Sequence, residues 1–254
     1  MKLIKTLSFL ALATTLNVGC GGGGGGSAAS PNGIYTGNIT GGVGGLVNGE
    51  EKGIIYNNRM MVFSSVNDIR QMFESQLGIS GTSLSGNIIY YPDSSLPTSS
   101  SLTLAGTFTP DTSATINFTD ATGSEPADGT MNLVSNPTSF NRGSDLSTIA
   151  FSWQGTHGLF NNSSSFSVSS TGDITGGSAF DCTYTGTILP ADTSINVYNV
   201  TLITGSNCDN NLSETLPTNK TYTGFAWTEG TNDEILNFTV SDGTQSRSIV
   251  LTKN

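Results

Sequence analysis

Charge is scarce in this chain of 254 residues: only 11% are Asp, Glu, Lys or Arg. Basic residues are scarcer still, 9 against 19 acidic ones. An acidic chain repels phosphate backbones, which excludes nucleic acid as a partner. It also offers no basic patch to anionic lipid. Histidine occurs once, at His157, and cysteine at Cys20, Cys182 and Cys208 alone. That supply is too small for a structural zinc site, and any Ser–His–Asp arrangement would have to use His157. His157 closes a strand-like unit, where an ordinary hydrogen-bonded or exposed role is expected. No apolar run reaches the roughly 20 residues that a membrane-spanning helix needs.

Motifs for chemistry are equally thin. No phosphate loop, dinucleotide fingerprint or calcium-loop spacing is present. Gly81-Thr82-Ser83-Leu84-Ser85-Gly86 places serines between glycines without the spacing of a nucleophile elbow. Gly41-Gly42-Val43-Gly44-Gly45 lacks the Lys and the helix of a phosphate loop and reads as a hairpin tip. Glu50-Glu51 and Asp233-Glu234 are adjacent carboxylates, and adjacent strand residues face opposite sides. Both pairs lie near turn signals and read as solvated loop charge. Asp209, Asn210 and Asn211 read as a polar loop beside Cys208 rather than a metal site. The expectation is a protein without catalytic residues, cofactor or metal.

The first thirty residues carry the clearest message. Lys2 and Lys5 precede a mostly apolar stretch, Leu7 to Leu16, then small residues, Cys20 and the run Gly21 to Gly26. This is the layout of a secretory signal peptide over 1–19. Cys20 followed by glycines resembles the lipidation site of bacterial lipoproteins. Gly19 and Val18 fit that pattern, while Asn17 stands where Leu is usual and Leu16 lies one position further back. The resemblance implies a mature chain starting at Cys20, with lipid on its sulfur and its amine. Several acyl chains hold a protein firmly where one alone binds only marginally. Gly21, in place of a retaining Asp, implies an outer-membrane address. Residues 20–31 lack side chains to pack and read as a flexible tether with a typical reach of about 18 Å.

Removing Lys2 and Lys5 with the signal peptide leaves seven basic residues against 19 acidic. The polar content of what remains is Ser, Thr, Asn and Gly, which suits turns and the outward faces of strands. Cys182 and Cys208 are then the only cysteines besides the anchor. An even pair in an exported chain is expected to form a disulfide. It would close a loop of 25 residues, worth roughly 3–4 kcal/mol in the chain-entropy model.

Period-two alternation runs through the rest. Tyr198, Val200 and Leu202 alternate with Asn199 and Thr201, and Leu236, Phe238 and Val240 with Asn237 and Thr239. Phe166 and Val168 sit among serines. One apolar and one polar face marks antiparallel strands on a core. Asn57-Asn58 and Asp242-Gly243 suit tight hairpins between such strands. A helical period appears once, at Val66, Ile69, Met72, Phe73 and Leu77, with Ser65 and Asp68 as a capping-box-like start and Gly78 as a stop. One short helix near 66–77 is therefore expected. A five-residue unit recurs six times: a bulky residue, one residue, Gly, one residue, and a residue that is usually apolar. It occupies Tyr35–Ile39, Leu84–Ile88, Leu104–Phe108, Trp153–His157, Tyr184–Ile188 and Tyr222–Ala226. Glycine inside a strand permits sharp coiling. The fold expected over 32–254 is all-β: an antiparallel, strongly curved sheet closing as a β-barrel. A β-sandwich is the alternative, and a split into two subdomains near 140–145 stays open.

The stretch with Asp181-Cys182-Thr183-Tyr184-Thr185-Gly186-Thr187-Ile188, Asn196–Val200, Asn207-Cys208 and Tyr222-Thr223-Gly224 resembles a recurring group of glycine-tethered proteobacterial lipoproteins of unassigned activity. The match is best over 145–254. In architecture the chain is more distantly similar to the transferrin-binding and factor-H-binding β-barrel surface lipoproteins. The resulting expectation is a cell-envelope lipoprotein on the outer membrane. It is held by its N-terminal lipid and presents a β domain for binding or adhesion without catalysis. A lipocalin-like carrier of a small apolar ligand is the alternative. The partner, a protein or a small molecule, is expected at loops, with 41–49 and 205–219 as the candidates.

Overall fold

The computed structural model describes residues 29–41, 50–64, 71–92, 100–120, 128–157, 162–178, 182–206 and 218–254. Nine strands come first: β1 (Gly33–Gly41), β2 (Glu50–Tyr56), β3 (Arg59–Ser64), β4 (Met72–Gln76), β5 (Gly78–Ser80), β6 (Ser83–Tyr91), β7 (Ser100–Thr109), β8 (Ser113–Thr119) and β9 (Gly129–Ser135). Two single-turn helices follow, α1 (Pro137–Phe140) and α2 (Leu146–Ile149). Eight more strands complete the chain: β10 (Ser152–His157), β11 (Asn162–Val168), β12 (Asp173–Ser178), β13 (Thr183–Pro190), β14 (Tyr198–Thr204), β15 (Thr221–Glu229), β16 (Ile235–Ser241) and β17 (Ser246–Lys253).

Both sheets are antiparallel and both close. In the first, each strand pairs with its sequence neighbour except β4 with β5; β1 pairs with β9, and β4 with the second half of β6 through Met72↔Tyr91. β5 takes the first half of β6 through Gly78↔Ser85, so β4 and β5 share one position in the ring. In the second, β10 to β17 form a meander closed by Trp153↔Lys253 and Gln154↔Thr252. The chain thus builds two closed barrels rather than a sandwich. Closure pairs every strand edge that an open sheet would leave bare.

The recurring glycine unit explains the curvature. Each copy lies on one strand, three in each barrel, and its bulky residue points inward. Tyr35, Leu84 and Leu104 belong to the first barrel's core, Trp153, Tyr184 and Tyr222 to the second's. A Cβ at Gly37, Gly186 or Gly224 would overlap the carbonyl oxygens of Asn132, Thr201 and Thr239 on the neighbouring strands. Only glycine allows backbones to approach so closely at a coiled corner. The Asn57-Asn58 turn joins β2 to β3 with φ of 49° and 62°, the left-handed pair a two-residue hairpin needs. Asp242-Gly243 belongs to a longer loop, in which the Asp242 carboxylate accepts from the Thr244 and Gln245 amides at 2.8 and 2.7 Å.

The helix expected near 66–77 is replaced over 72–76 by strand β4; residues 65–70 lie outside the described residues. Met72 and Phe73 are both fully buried, but on opposite faces, Phe73 inside the first barrel and Met72 outside it. A strand buried on both faces is apolar at consecutive positions, and a short stretch of that pattern mimics a helical stripe. The helices that do form cap their own turns. Asn136 accepts from the Ser139 amide at 3.0 Å and Asp145 from the Ser147 amide at 2.6 Å.

Candidate functional site

The outer faces of β2, β3 and β4 pack against those of β15, β16 and β17. Ile54, Met61, Phe63 and Met72 of the first barrel form one apolar cluster with Phe225 and Trp227 of the second, joined by Phe140 of α1. Phe63 and Trp227 are tilted with ring centroids 6.1 Å apart, and Tyr56 meets Phe225 edge-on at 5.9 Å. Such pairs add to their area burial.

Around this seam the scarce charges gather in pairs. Lys52 Nζ reaches Glu229 Oε2 at 2.7 Å across the two barrels, and Trp227 Nε1 donates to the other Glu229 oxygen at 3.0 Å. Arg59 holds Glu74 at 2.6 Å and donates to the Thr223 carbonyl at 3.1 Å. Glu74 also accepts from Tyr91 at 3.2 Å and from the Ser241 hydroxyl. Arg142, between the helices, binds Asp233 at 2.7 Å and the Thr228 and Gly230 carbonyls at 2.7 and 3.0 Å. A cleft of about 390 Å³ opens here between Thr36, Glu50, Lys52, Arg142 and Glu229. Its cations Lys52 and Arg142 are already matched by carboxylates, and the remaining charge on its lining, Glu50, is exposed to solvent, so the cleft offers no free cation to an anionic ligand. Its chemistry is that of a joint. The only advance sign of it in the sequence was rarity, since Lys52, Arg59 and Glu74 are charges set inside strands.

Among the described residues, side chains pack inside both barrels. Phe166 stacks on Tyr184 at 5.5 Å and on Phe238 at 5.9 Å inside the second. A gap beside them, bounded also by Leu202 and Arg247, is about 20 Å³, room for roughly one water. A carrier cavity is on the order of 300 Å³ or more. Buried phenols serve as fixed donors. Tyr35 donates to the Pro31 carbonyl at 2.6 Å and Tyr198 to the Asp145 carbonyl at 3.1 Å. Burial pushes both hydroxyls up to about 12, with the Asp111 charge adding to the effect at Tyr35. Burial likewise raises Tyr91 and Tyr222, helped by Glu74 at Tyr91 and by Asp242 at Tyr222.

The residues singled out from sequence are dispersed. Cys20, Cys208 and Asp209 to Asn211 lie outside the described residues. Cys182 is buried in the second barrel's core just before β13. His157 ends β10, paired with Asn162. Gly81-Thr82 is the turn between β5 and β6, and Ser83 and Ser85 are exposed on β6. Asp233 sits in the β15–β16 turn, held by Arg142, and Glu234 accepts from the Asn232 amide at 2.8 Å. Glu50-Glu51 departs from the expected solvated charge. Glu50 is exposed, but Glu51 is fully buried inside the first barrel. The alternation rule separated the two faces correctly; the turn signals nearby hid that β2 starts with them.

The strand pairings also place the ends of the barrels. Gly41, Glu50, Ser64, Tyr91, Thr119 and Gly129 are strand ends at one end of the first barrel; Gly33 and the Asn57-Asn58 turn are at the other. In the second barrel the β14 and β15 ends at Thr204 and Thr221 lie opposite the β15–β16 turn at 230–234. Across the seam Lys52 meets Glu229, while Arg59 meets Thr223. The barrels therefore run end to opposite end. The N-terminal entry at Gly33 shares its end of the molecule with Thr204 and Thr221, and the Gly41–Glu50 end faces away.

No protein-family model matches the chain, and no curated protein matches it. Among solved structures, it is similar to the isotype 1 transferrin binding protein B from serogroup B Neisseria meningitidis. The identity is 11% over 82% of this chain and 59% of that one, with a TM-score of 0.31. It is also similar to a point mutant of transferrin binding protein B from Haemophilus parasuis, 8% identical over 81% of this chain and 60% of that one, with a TM-score of 0.28. The chain spans about 60% of the length of these two proteins.

Proposed function

We propose that this protein is a lipid-anchored component of the cell envelope, held to the outer membrane through Cys20, that binds a partner at the ends of a fused pair of filled barrels. The observation that carries the reading is the occupied interior: the second barrel leaves about 20 Å³ beside Phe166 and Tyr184, and the seam neutralises its own charges. Recognition is then left to the ends, where a rigid scaffold positions loops. The tether joins at the Gly33 end. The strand ends at Thr204 and Thr221 share the tether's end, which makes 205–219 the membrane-proximal candidate, and the Gly41 and Glu50 ends that flank the 41–49 candidate face away from it. A Cys182–Cys208 disulfide belongs to the same reading and pins the proximal segment to the second barrel's core.

Two measurements test it. Cys20→Ala should move the protein from membranes to the soluble fraction; salt-resistant retention at the wild-type level overturns the anchor. A pull-down on the full chain should lose a partner when either 42–49 or 209–216 is replaced by a short Gly-Ser loop. Binding that survives both replacements, but fails when Leu202→Trp fills the gap in the second barrel, would establish the carrier instead.

A further inference from the structure

Glu51 is the one charged residue type among the described residues found inside the first barrel. It lies on β2 between Gly37 of β1 and Ser64 of β3. Its exposure is 0%, and neither carboxyl oxygen has a hydrogen-bond partner; the Ser64 hydroxyl, also fully buried, has none either. A buried ionised carboxylate without a partner is too costly to persist, so such a group stays protonated. Among the described residues, the core of the same barrel takes Tyr35 and Ile39 from β1, Met60 and Val62 from β3, Phe73 from β4 and Ile88 and Tyr90 from β6. The titratable members of that set are two phenols, and no cation is among them. Burial pushes the Glu51 carboxyl up to about 8; the Ser64 hydroxyl beside it, which makes no formed hydrogen bond, opposes this only in part.

We propose that Glu51 is a protonation latch: its neutral carboxyl keeps the Gly41–Glu50 end of the first barrel closed, and its ionisation opens that end. The position favours local opening over global unfolding. Glu51 is the second residue of β2, and its neighbour Ser64 is the last of β3. Separating β2 from β3 at this end would hydrate the carboxylate and leave the Asn57-Asn58 hairpin and the seam intact. The sign follows from linkage. The closed state binds the Glu51 proton up to about pH 8, whereas an open, hydrated glutamate releases it near 4.3. Closure is therefore complete in mild acid. It weakens as pH rises towards 8 and levels off above it. The latch stands independently of the lipid anchor and of any partner.

Amide hydrogen exchange on the full chain, corrected for intrinsic exchange, tests it between pH 5 and 9. The opening constant of β2 and β3 around Gly53 and Val62 should rise up to about tenfold per pH unit until about pH 8. The strands β15 and β16 should show no such slope. Glu51→Gln keeps the shape and removes the proton, so the slope should vanish. If that variant folds poorly, Glu51→Met serves the same purpose, and the wild-type slope alone is already decisive. A flat wild-type profile, or an equal slope in either variant, overturns the latch.

Discussion

β8 and β16 read alike and live differently. Ser-Ala-Thr-Ile-Asn-Phe-Thr and Ile-Leu-Asn-Phe-Thr-Val-Ser both alternate apolar with polar. On β8 the polar face is in water, with Thr115, Asn117 and Thr119 exposed. On β16 the polar face is also buried: Asn237 and Thr239 are fully covered by the seam. The first barrel prepares for this contact with apolar side chains, Met61, Phe63 and Met72. The second meets them with Phe225 and Trp227 but also with Asn237, Thr239 and Ser248. Thr239 compensates its burial with Ser248 at 3.0 Å and the Met72 sulfur at 3.2 Å. Asn237 has no partner at either amide atom. The difference teaches that a strand's outward face is polar for two reasons, solvent or a partner surface, and the alternation pattern does not distinguish them.

The largest expected effect comes from breaking the seam at its centre. Trp227→Ala removes the ring against Phe63 and should cost about 3–5 kcal/mol, as large-to-small core changes do. Calorimetry should then resolve two transitions, one for each barrel, in place of a coupled one. A single unshifted transition would mean that the seam contributes little. Next in size is the covalent link. Reducing the proposed Cys182–Cys208 bond should lower stability by about 3 kcal/mol, and only in the transition of the second barrel. Peptide mapping without reductant should find the two cysteines joined; two free thiols would end that claim. The smallest effect runs in the opposite direction. Asn237→Leu replaces an unpartnered buried amide with a side chain of similar size and should stabilise the seam by about 1–2 kcal/mol. Loss of stability would indicate that the amide is satisfied in solution.

Much of the barrel wall was legible beforehand. Tyr198, Val200 and Leu202 face inward as their alternation required, and Asn57-Asn58 forms the expected two-residue turn. The glycine units marked corners of the sheet because close backbone approach is a local demand with a local signature. The seam was not legible, because its members lie far apart in the chain: Lys52 and Glu229 are separated by 177 residues and Arg59 and Ser241 by 182. Nothing near Lys52 in the chain announces that partner. The same holds for Glu51, whose neighbours in sequence look like a turn while its neighbours in space are a barrel core.

By itself the sequence determined strand character, inward faces, glycine corners and the acidic, charge-poor surface, since each depends on residues a few positions apart. Tertiary structure alone decided that the strands close twice rather than once, that β4 is a strand buried on both faces, and that Lys52, Arg59 and Arg142 lie on a seam. Closure and docking join positions far apart in the chain, and their free energy depends on which surface arrives opposite. That information is held in the whole fold and in no single segment.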